Sequence, residues 1–224
     1  MMKKYFDNIY CINLDRRTDR WQECQSEFKK LGIQDQVTRF SAYDMKPGIA
    51  GCTRSHYEVI KLAKSKNEKK VLILEDDFST VYNDVWSYFD DALQQMSDKN
   101  ISYDMFYFGG RVIGKDGAIK IDSNLLKLNY VKCAHMYVVT ERIYDAIINI
   151  YKDIDWNNNA HWDGSSVTRL NDDYVFATKI QPKYNVYGIY PGVCQQRTSH
   201  SDLLNKKSGE VMWNIKKEWD EKVL

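Results

Sequence analysis

The chain has 224 residues, 43% hydrophobic and 28% charged, proportions of a globular protein that exclude a disordered or fibrous chain. Lys and Arg number 32 against 31 Asp and Glu, a net charge of +1, which argues against a dedicated nucleic-acid binder. At roughly 100–200 residues per domain, the length suits one domain.

Elements follow in chain order. Ile9–Leu14 reads as a buried strand. A helix follows with Trp21, Cys24, Phe28 and Leu31 on one face, ended by Gly32. Val37–Ala42 suits a second strand, and a helix from about Thr53 to Lys66 turns Val59, Ile60 and Ala63 inward. Val71-Leu72-Ile73-Leu74 has the continuous apolar pattern of a parallel strand covered on both faces. A helix after Asn83 carries the stripe Trp86, Phe89, Leu93 and Met96. Met105–Phe108 is a strand, and Asp116-Gly117 predicts a hairpin turn. His135–Val139 is a further strand, and Thr140 caps a helix that buries Ile143, Ile147 and Ile150. Asp155–His161 predicts a surface loop, Tyr184–Tyr190 a last strand, and residues 208–222 an amphipathic helix. The alternation predicts an α/β domain whose first half resembles a nucleotide-binding layer.

The five cysteines, Cys11, Cys24, Cys52, Cys133 and Cys194, are odd in number, with no CxxC pair. That argues against a structural zinc site or a disulfide framework and for a reducing compartment. The first residues, Met1-Met2-Lys3-Lys4, begin as a signal peptide does, but Asp7 and Asn8 interrupt before any apolar stretch of about 7–15 residues. No segment approaches the ~18 apolar residues of a membrane span. A cytoplasmic location is expected, at most peripheral at the inner membrane face.

The sharpest chemical feature is Glu75-Asp76-Asp77, directly after the apolar strand. Adjacent carboxylates repel and need a counter-charge. An extended backbone puts Glu75 and Asp77 on one face, about 6.6 Å apart at Cα, where both can reach one divalent ion. Asp76 then points the other way. The carboxyl end of a parallel strand is also where open α/β sheets bind ligands. Arg16, Arg17 and Arg20 cluster after the first strand, and arginine forks suit phosphate oxygens. Gly51-Cys52-Thr53-Arg54-Ser55-His56 opens a helix, a place that favours anions. Gln195–Asp202 is rich in donors and sets His200 near Asp202. His161-Trp162-Asp163-Gly164 offers Asp163 as a general base or as a helix cap.

Taken together these segments resemble glycosyltransferase family 25, which includes lipooligosaccharide β-galactosyltransferases and collagen galactosyltransferase domains. The matching pieces are Ile12–Trp21, Ser41-Ala42-Tyr43-Asp44, Gly51–His56, Leu72–Asp77, and Val186–Pro191 followed by Gln196 and Ser201-Asp202. The resemblance implies a GT-A type fold, a Rossmann-like mixed sheet flanked by helices. It divides the single domain, residues 1–224, into a nucleotide-binding half of about 1–110 and an acceptor-side half of about 111–205.

The resemblance also implies transfer of a hexose, most often galactose, from a UDP-sugar to an acceptor hydroxyl with inversion. The acceptor would be a lipooligosaccharide-type glycan or hydroxylysine. Glu75 and Asp77, with His200, would hold Mn²⁺ or Mg²⁺. Asn13, Leu14, Arg16, Arg17, Arg20, Asp44, Ser55, His56, Asp76 and Gln196 would meet the nucleotide-sugar. Asp163 is the first candidate for the base, with Asp173 in reserve; Trp156 and Trp162 offer stacking faces. At Asp163 the chain departs from the family, which has larger apolar flanks there. The competing readings are a metal-dependent phosphohydrolase and a non-catalytic nucleotide-sugar binding module.

Overall fold

The computed structural model describes residues 4–158, 170–197, 199–201 and 206–208. Asp163, Trp162 and residues 209–222 of the expected C-terminal helix lie outside the described residues; Ser208, expected to open that helix, ends a strand.

Three strands come first: β1 (Asn8–Asn13), β2 (Val37–Ser41) and β3 (Lys70–Glu75). Helices α1 (Thr18–Leu31) and α2 (Gly48–Ser65) connect them. β1 pairs in parallel with both β2 and β3, the pattern of successive crossover units. β4 (Phe78–Thr80) and α3 (Val85–Asp98) follow. Strands β5 (Met105–Tyr107), β6 (Arg111–Val112), β7 (Ala118–Asp122), β8 (Leu125–Leu128) and β9 (Val131–Lys132) lead to β10 (Met136–Thr140) and α4 (Glu141–Tyr151). A short helix α5 (Asp172–Val175) runs into a π-helical turn at Phe176–Ile180. The chain continues through β11 (Val186–Ile189), β12 (Cys194–Gln196), β13 (Ser199–Ser201) and β14 (Lys206–Ser208).

Eight strands form one mixed sheet in the order β2-β1-β3-β10-β5-β11-β8-β7. β10 is antiparallel to both β3 and β5. The central strands are covered on both faces, because successive side chains alternate sides. Tyr10, Ile12, Val71, Ile73, Tyr137 and Val139 join the core beneath α2 and α4. Ile9, Cys11, Leu72, Leu74, Met136 and Val138 join the core that receives Phe28 of α1 and Phe89 of α3. This is the expected α/β class, a Rossmann-like mixed sheet flanked by helices. No helix among the described residues is long and apolar enough to cross a membrane.

Two local expectations are corrected. α2 starts at Gly48, five residues before Thr53. Its early turns contain Gly48 and Gly51, poor helix formers, but a Cβ at Gly51 would lie 2.2 Å from the Tyr43 carbonyl oxygen. Close packing against the preceding loop selects glycine there despite its helical cost. The hairpin turns at Ser123-Asn124, between β7 and β8, and not at Asp116-Gly117. Gly117 lies lower in the hairpin, where a Cβ would meet Ile113 O at 2.4 Å and Tyr130 O at 2.9 Å. β4 and β12, which pair antiparallel beside the carboxyl end of β3, have no clear signal in the sequence.

Candidate active site

The β3 strand ends at Glu75, and Asp76-Asp77 form a turn into β4. The extended geometry expected for the three acids therefore stops one residue early, and their side chains do not simply alternate. Asp76 and Asp77 both reach Arg20 from the first turn of α1, at 2.6 Å and 3.3 Å from its Nη1. Asn13, at the end of β1, donates from Nδ2 to Asp76 Oδ2 at 2.7 Å and to the Arg17 carbonyl at 3.1 Å. Its Oδ1 accepts from Arg39 at 2.6 Å. Asn13 is thus buried and committed to holding Asp76. Arg197, just beyond β12, donates its backbone N–H to Asp77 O and its Nη2 to Asp76 O, each at 2.6 Å. Two guanidinium groups and an amide therefore brace a turn that carries like charges.

Glu75 takes a different direction. His56 Nε2 donates to Glu75 Oε1 at 3.0 Å, and Gln196 Nε2 donates to Oε2 at 3.3 Å. Burial pushes the Glu75 carboxyl up, but the His56 hydrogen bond and charge more than offset it, leaving its pKa below the usual value. Burial likewise lowers the His56 pKa, and Glu75 with Asp172 reverses that, leaving it raised. Asp77 has no comparable relief. Its Oδ1 is buried without a hydrogen-bond partner among the described residues, and burial, then the Glu75 charge, pushes its pKa to about 7. Such an orphaned carboxylate oxygen beside another carboxylate fits a cation position.

The opposite wall comes from α2 and the loop before it. Ser55 Oγ donates to Gly51 O at 2.6 Å and accepts the Tyr43 N–H at 2.9 Å, clamping the loop to the helix. Asp44 on that loop accepts from Arg16 Nε at 2.8 Å across the mouth. Between the walls lies a cleft of about 570 Å³. The structure brings Leu14, Arg16, Arg20, Asp44, Ser55 and His56 to its lining, with Glu75, Asp76 and Asp77 at its floor. Cys52 joins them on the α2 side. Asn13, Arg17 and Gln196 stand outside the lining: Asn13 and Gln196 hold floor acids, and Arg17 pairs with Asp19 at 2.8 Å.

Asp173 stands behind the cleft. Its Oδ1 accepts the N–H groups of Cys133 and Ala134 at 2.7 and 3.3 Å. Burial, then Asp172 and Glu75, pushes its pKa to about 7. Trp156 stacks on Tyr57 with ring centroids 5.7 Å apart. His200 lies on β13.

Three contributors carried no assignment in the sequence reading: Arg197, Asp172 and Cys52. Arg197 stands inside the donor-rich segment after Pro191, and Cys52 inside the Gly51–His56 segment, so both had a signal. Asp172 had only its neighbour Asp173. Cys52, His56, Glu75 and Asp172 each place a potential ligand atom within 4.8 Å of the others.

The cleft thus lies at the carboxyl end of the first strands of an α/β domain, with acids at its floor and Arg16 at its rim, the position where open α/β sheets bind ligands. No family profile matches the chain. It is similar to curated proteins described as "Glycosyltransferase 25 family member". One from Anopheles gambiae is 28% identical over 170 residues, 62% of this chain and 28% of its own length. One from Drosophila melanogaster is 25% identical over 168 residues, 62% of this chain and 27% of its own. The chain thus spans about a quarter of the length of the curated relatives it matches. Among solved structures, a glycosyltransferase involved in glycosylation of the major capsid of PBCV-1 aligns with TM-score 0.40 at 14% identity, covering 81% of this chain and 92% of that one. An apo UDP-glucose pyrophosphorylase aligns with TM-score 0.43 at 7% identity, covering 81% and 72%. The chain is a relative of glycosyltransferase family 25.

Proposed function

We propose that this chain is a glycosyltransferase that moves a hexose, galactose by the family resemblance, from a UDP-sugar to an acceptor hydroxyl with inversion. The acceptor is a lipooligosaccharide-type glycan or a hydroxylysine. The reaction takes place in the cytoplasm, at most peripherally at the inner membrane face; five free cysteines suit a reducing compartment. The observation that carries the reading is Asp77 Oδ1 on the floor of the cleft that Glu75 also lines, buried and without a hydrogen-bond partner among the described residues.

Charge accumulates on the nucleoside diphosphate as the glycosidic bond breaks. Arg16 at the rim and Arg20 at the floor supply fixed positive charge where that develops. Glu75 and Asp77 are the residues to hold Mn²⁺ or Mg²⁺, which when bound supplies electrophilic stabilisation of the departing diphosphate. Asp76, fixed by Asn13 and Arg20, keeps the turn in register beneath it. An acceptor hydroxyl has a pKa far above neutral, so a carboxylate must take its proton as it attacks. Asp163 is the first residue for that role. Asp173 has a pKa suited to it, about 7, and is the reserve.

The test is release of UDP from a panel of UDP-sugars with Mn²⁺, with and without lipooligosaccharide and hydroxylysine peptide acceptors. Acceptor-stimulated UDP release is expected. Asp77→Ala should abolish the metal-dependent part while the fold survives, because Asp76 still pairs with Arg20. Wild-type turnover in that variant, or phosphate release from simple esters in place of transfer, would overturn the assignment.

A further inference from the structure

The inner end of the cleft gathers four side chains of unlike chemistry. Cys52 and His56 lie four residues apart on α2 and so share a face. Glu75 ends β3, and Asp172 begins α5. Each ligand group but Cys52 is gripped from outside. The Tyr137 hydroxyl lies 2.8 Å from His56 Nδ1. Gln196 holds Glu75 Oε2, and Thr53 Oγ1 donates to Asp172 Oδ1 at 3.1 Å. These grips leave His56 Nε2 facing Glu75 Oε1 at 3.0 Å and Asp172 Oδ2 at 4.0 Å. Partners of this kind orient the ligands of metal centres.

Charge argues the same way. Glu75, Asp172 and Asp173 crowd one imidazole, while Arg20 already serves Asp76 and Asp77. Enclosed carboxylates short of positive charge are costly, and a divalent ion relieves them.

We infer that Cys52, His56, Glu75 and Asp172 form a binding site for a zinc-class divalent transition ion. One sulfur, one nitrogen and two carboxylates suit Zn²⁺ and its spectroscopic substitute Co²⁺, whereas Mg²⁺ and Ca²⁺ prefer oxygen alone. Tetrahedral bonds of about 2.0–2.3 Å set ligand atoms about 3.3–3.8 Å apart, so the four need draw in by only about 1 Å. Cys52 and Glu75 line the cleft and supply the entry path. The site shares Glu75 with the Glu75–Asp77 corner assigned to Mn²⁺ and differs from it in its other ligands, Asp77 not being among them. It does not depend on the transferase reading.

The experiment titrates the metal-free full chain with Co²⁺ alone and records its absorption spectrum. One equivalent should bind, with the intense visible bands of tetrahedral cobalt and a thiolate-to-cobalt charge-transfer band. Added Zn²⁺ should erase both. Cys52→Ser should remove the charge-transfer band. Thr53→Val, which touches no ligand atom of the ion directly, should weaken cobalt binding by roughly tenfold or more. Asp77→Asn should leave the bands intact. A wild-type chain without stoichiometric cobalt bands overturns the inference, whether or not any variant folds. So does a charge-transfer band that persists in Cys52→Ser, or one lost in Asp77→Asn. Sugar transfer is not read, so failure here leaves the transferase reading standing.

Discussion

Arg20 holds two carboxylates on one guanidinium nitrogen, at 2.6 and 3.3 Å, with its side chain about 10% exposed. Removing it leaves Asn13 as the side-chain partner of Asp76 and deprives Asp77 of its ion pair, among the described residues. Breaking an enclosed pair from one side costs roughly 3–5 kcal/mol. Arg20→Ala should therefore lower stability by about that amount, read from urea unfolding midpoints, and a change under ~1 kcal/mol would show that the turn relaxes without it. Gly51 is a second sensitive residue. Gly51→Ala places a methyl 2.2 Å from the Tyr43 carbonyl, a backbone atom that moves only with its loop. Overpacking of this kind costs about 1–3 kcal/mol. Because Asp44 rides on the same loop, the variant should also weaken UDP binding, measurable by calorimetry; unchanged affinity would detach that loop from the site.

Among the elements, the long hairpin from β6 to β9 joins the domain through the pairing of β8 with β11 and, at β9, through one buried side chain. Gln181 is buried after the π-helical turn and mimics a strand: Nε2 donates to Val131 O at 2.6 Å and Oε1 accepts the Val131 N–H at 2.7 Å. Gln181→Leu leaves both backbone groups unsatisfied in an apolar setting, at about 1–3 kcal/mol each. The variant should speed amide exchange at Val131 before the sheet centre is affected. Uniform exchange across the sheet would contradict a local role. The π-helical turn itself follows a short helix capped by Asn171, whose Oδ1 accepts the Tyr174 N–H. That capped start sets Asp172 against Thr53 and Asp173 against the N–H groups of Cys133 and Ala134.

At the scale of the whole molecule, enclosed acids after β3 and on α5 set the response to pH. Asp77 and Asp173 have folded pKa values raised to about 7, above the ~3.9 of an unfolded aspartate. For a raised acid, the associated stability is full below the unfolded value and is lost as pH rises through the folded one. In chelator, stability should therefore fall between about pH 4 and 7. Glu75, with its pKa lowered, acts in the opposite sense and only at the acid end of that range. Asp173→Asn, which still offers an acceptor to Cys133 and Ala134, should flatten the slope, and added divalent ions should restore stability at pH 7. A midpoint independent of pH in chelator would mean the acids are compensated in some other way.

The strands β1 and β3 and the inward stripes of α1 to α4 were legible in the chain because their cause is local. Apolar runs and three-and-four spacing follow from burial of one face, which acts within a dozen residues. The acids after Val71–Leu74 and the arginines after β1 were legible for the same reason, being adjacent to the strands that end there. What only tertiary structure decided is how these groups pair. Arg20 meets Asp76 across 56 positions, Gln196 meets Glu75 across 121, and Thr53 meets Asp172 across 119. Such partners are chosen by how the sheet orders its strands and where each crossover deposits its helix end. No local pattern carries that information. The widely spaced cysteines show it best: read along the chain they argue against a structural zinc site, yet folding sets Cys52, with His56 one turn along the same helix, beside two carboxylates from distant segments.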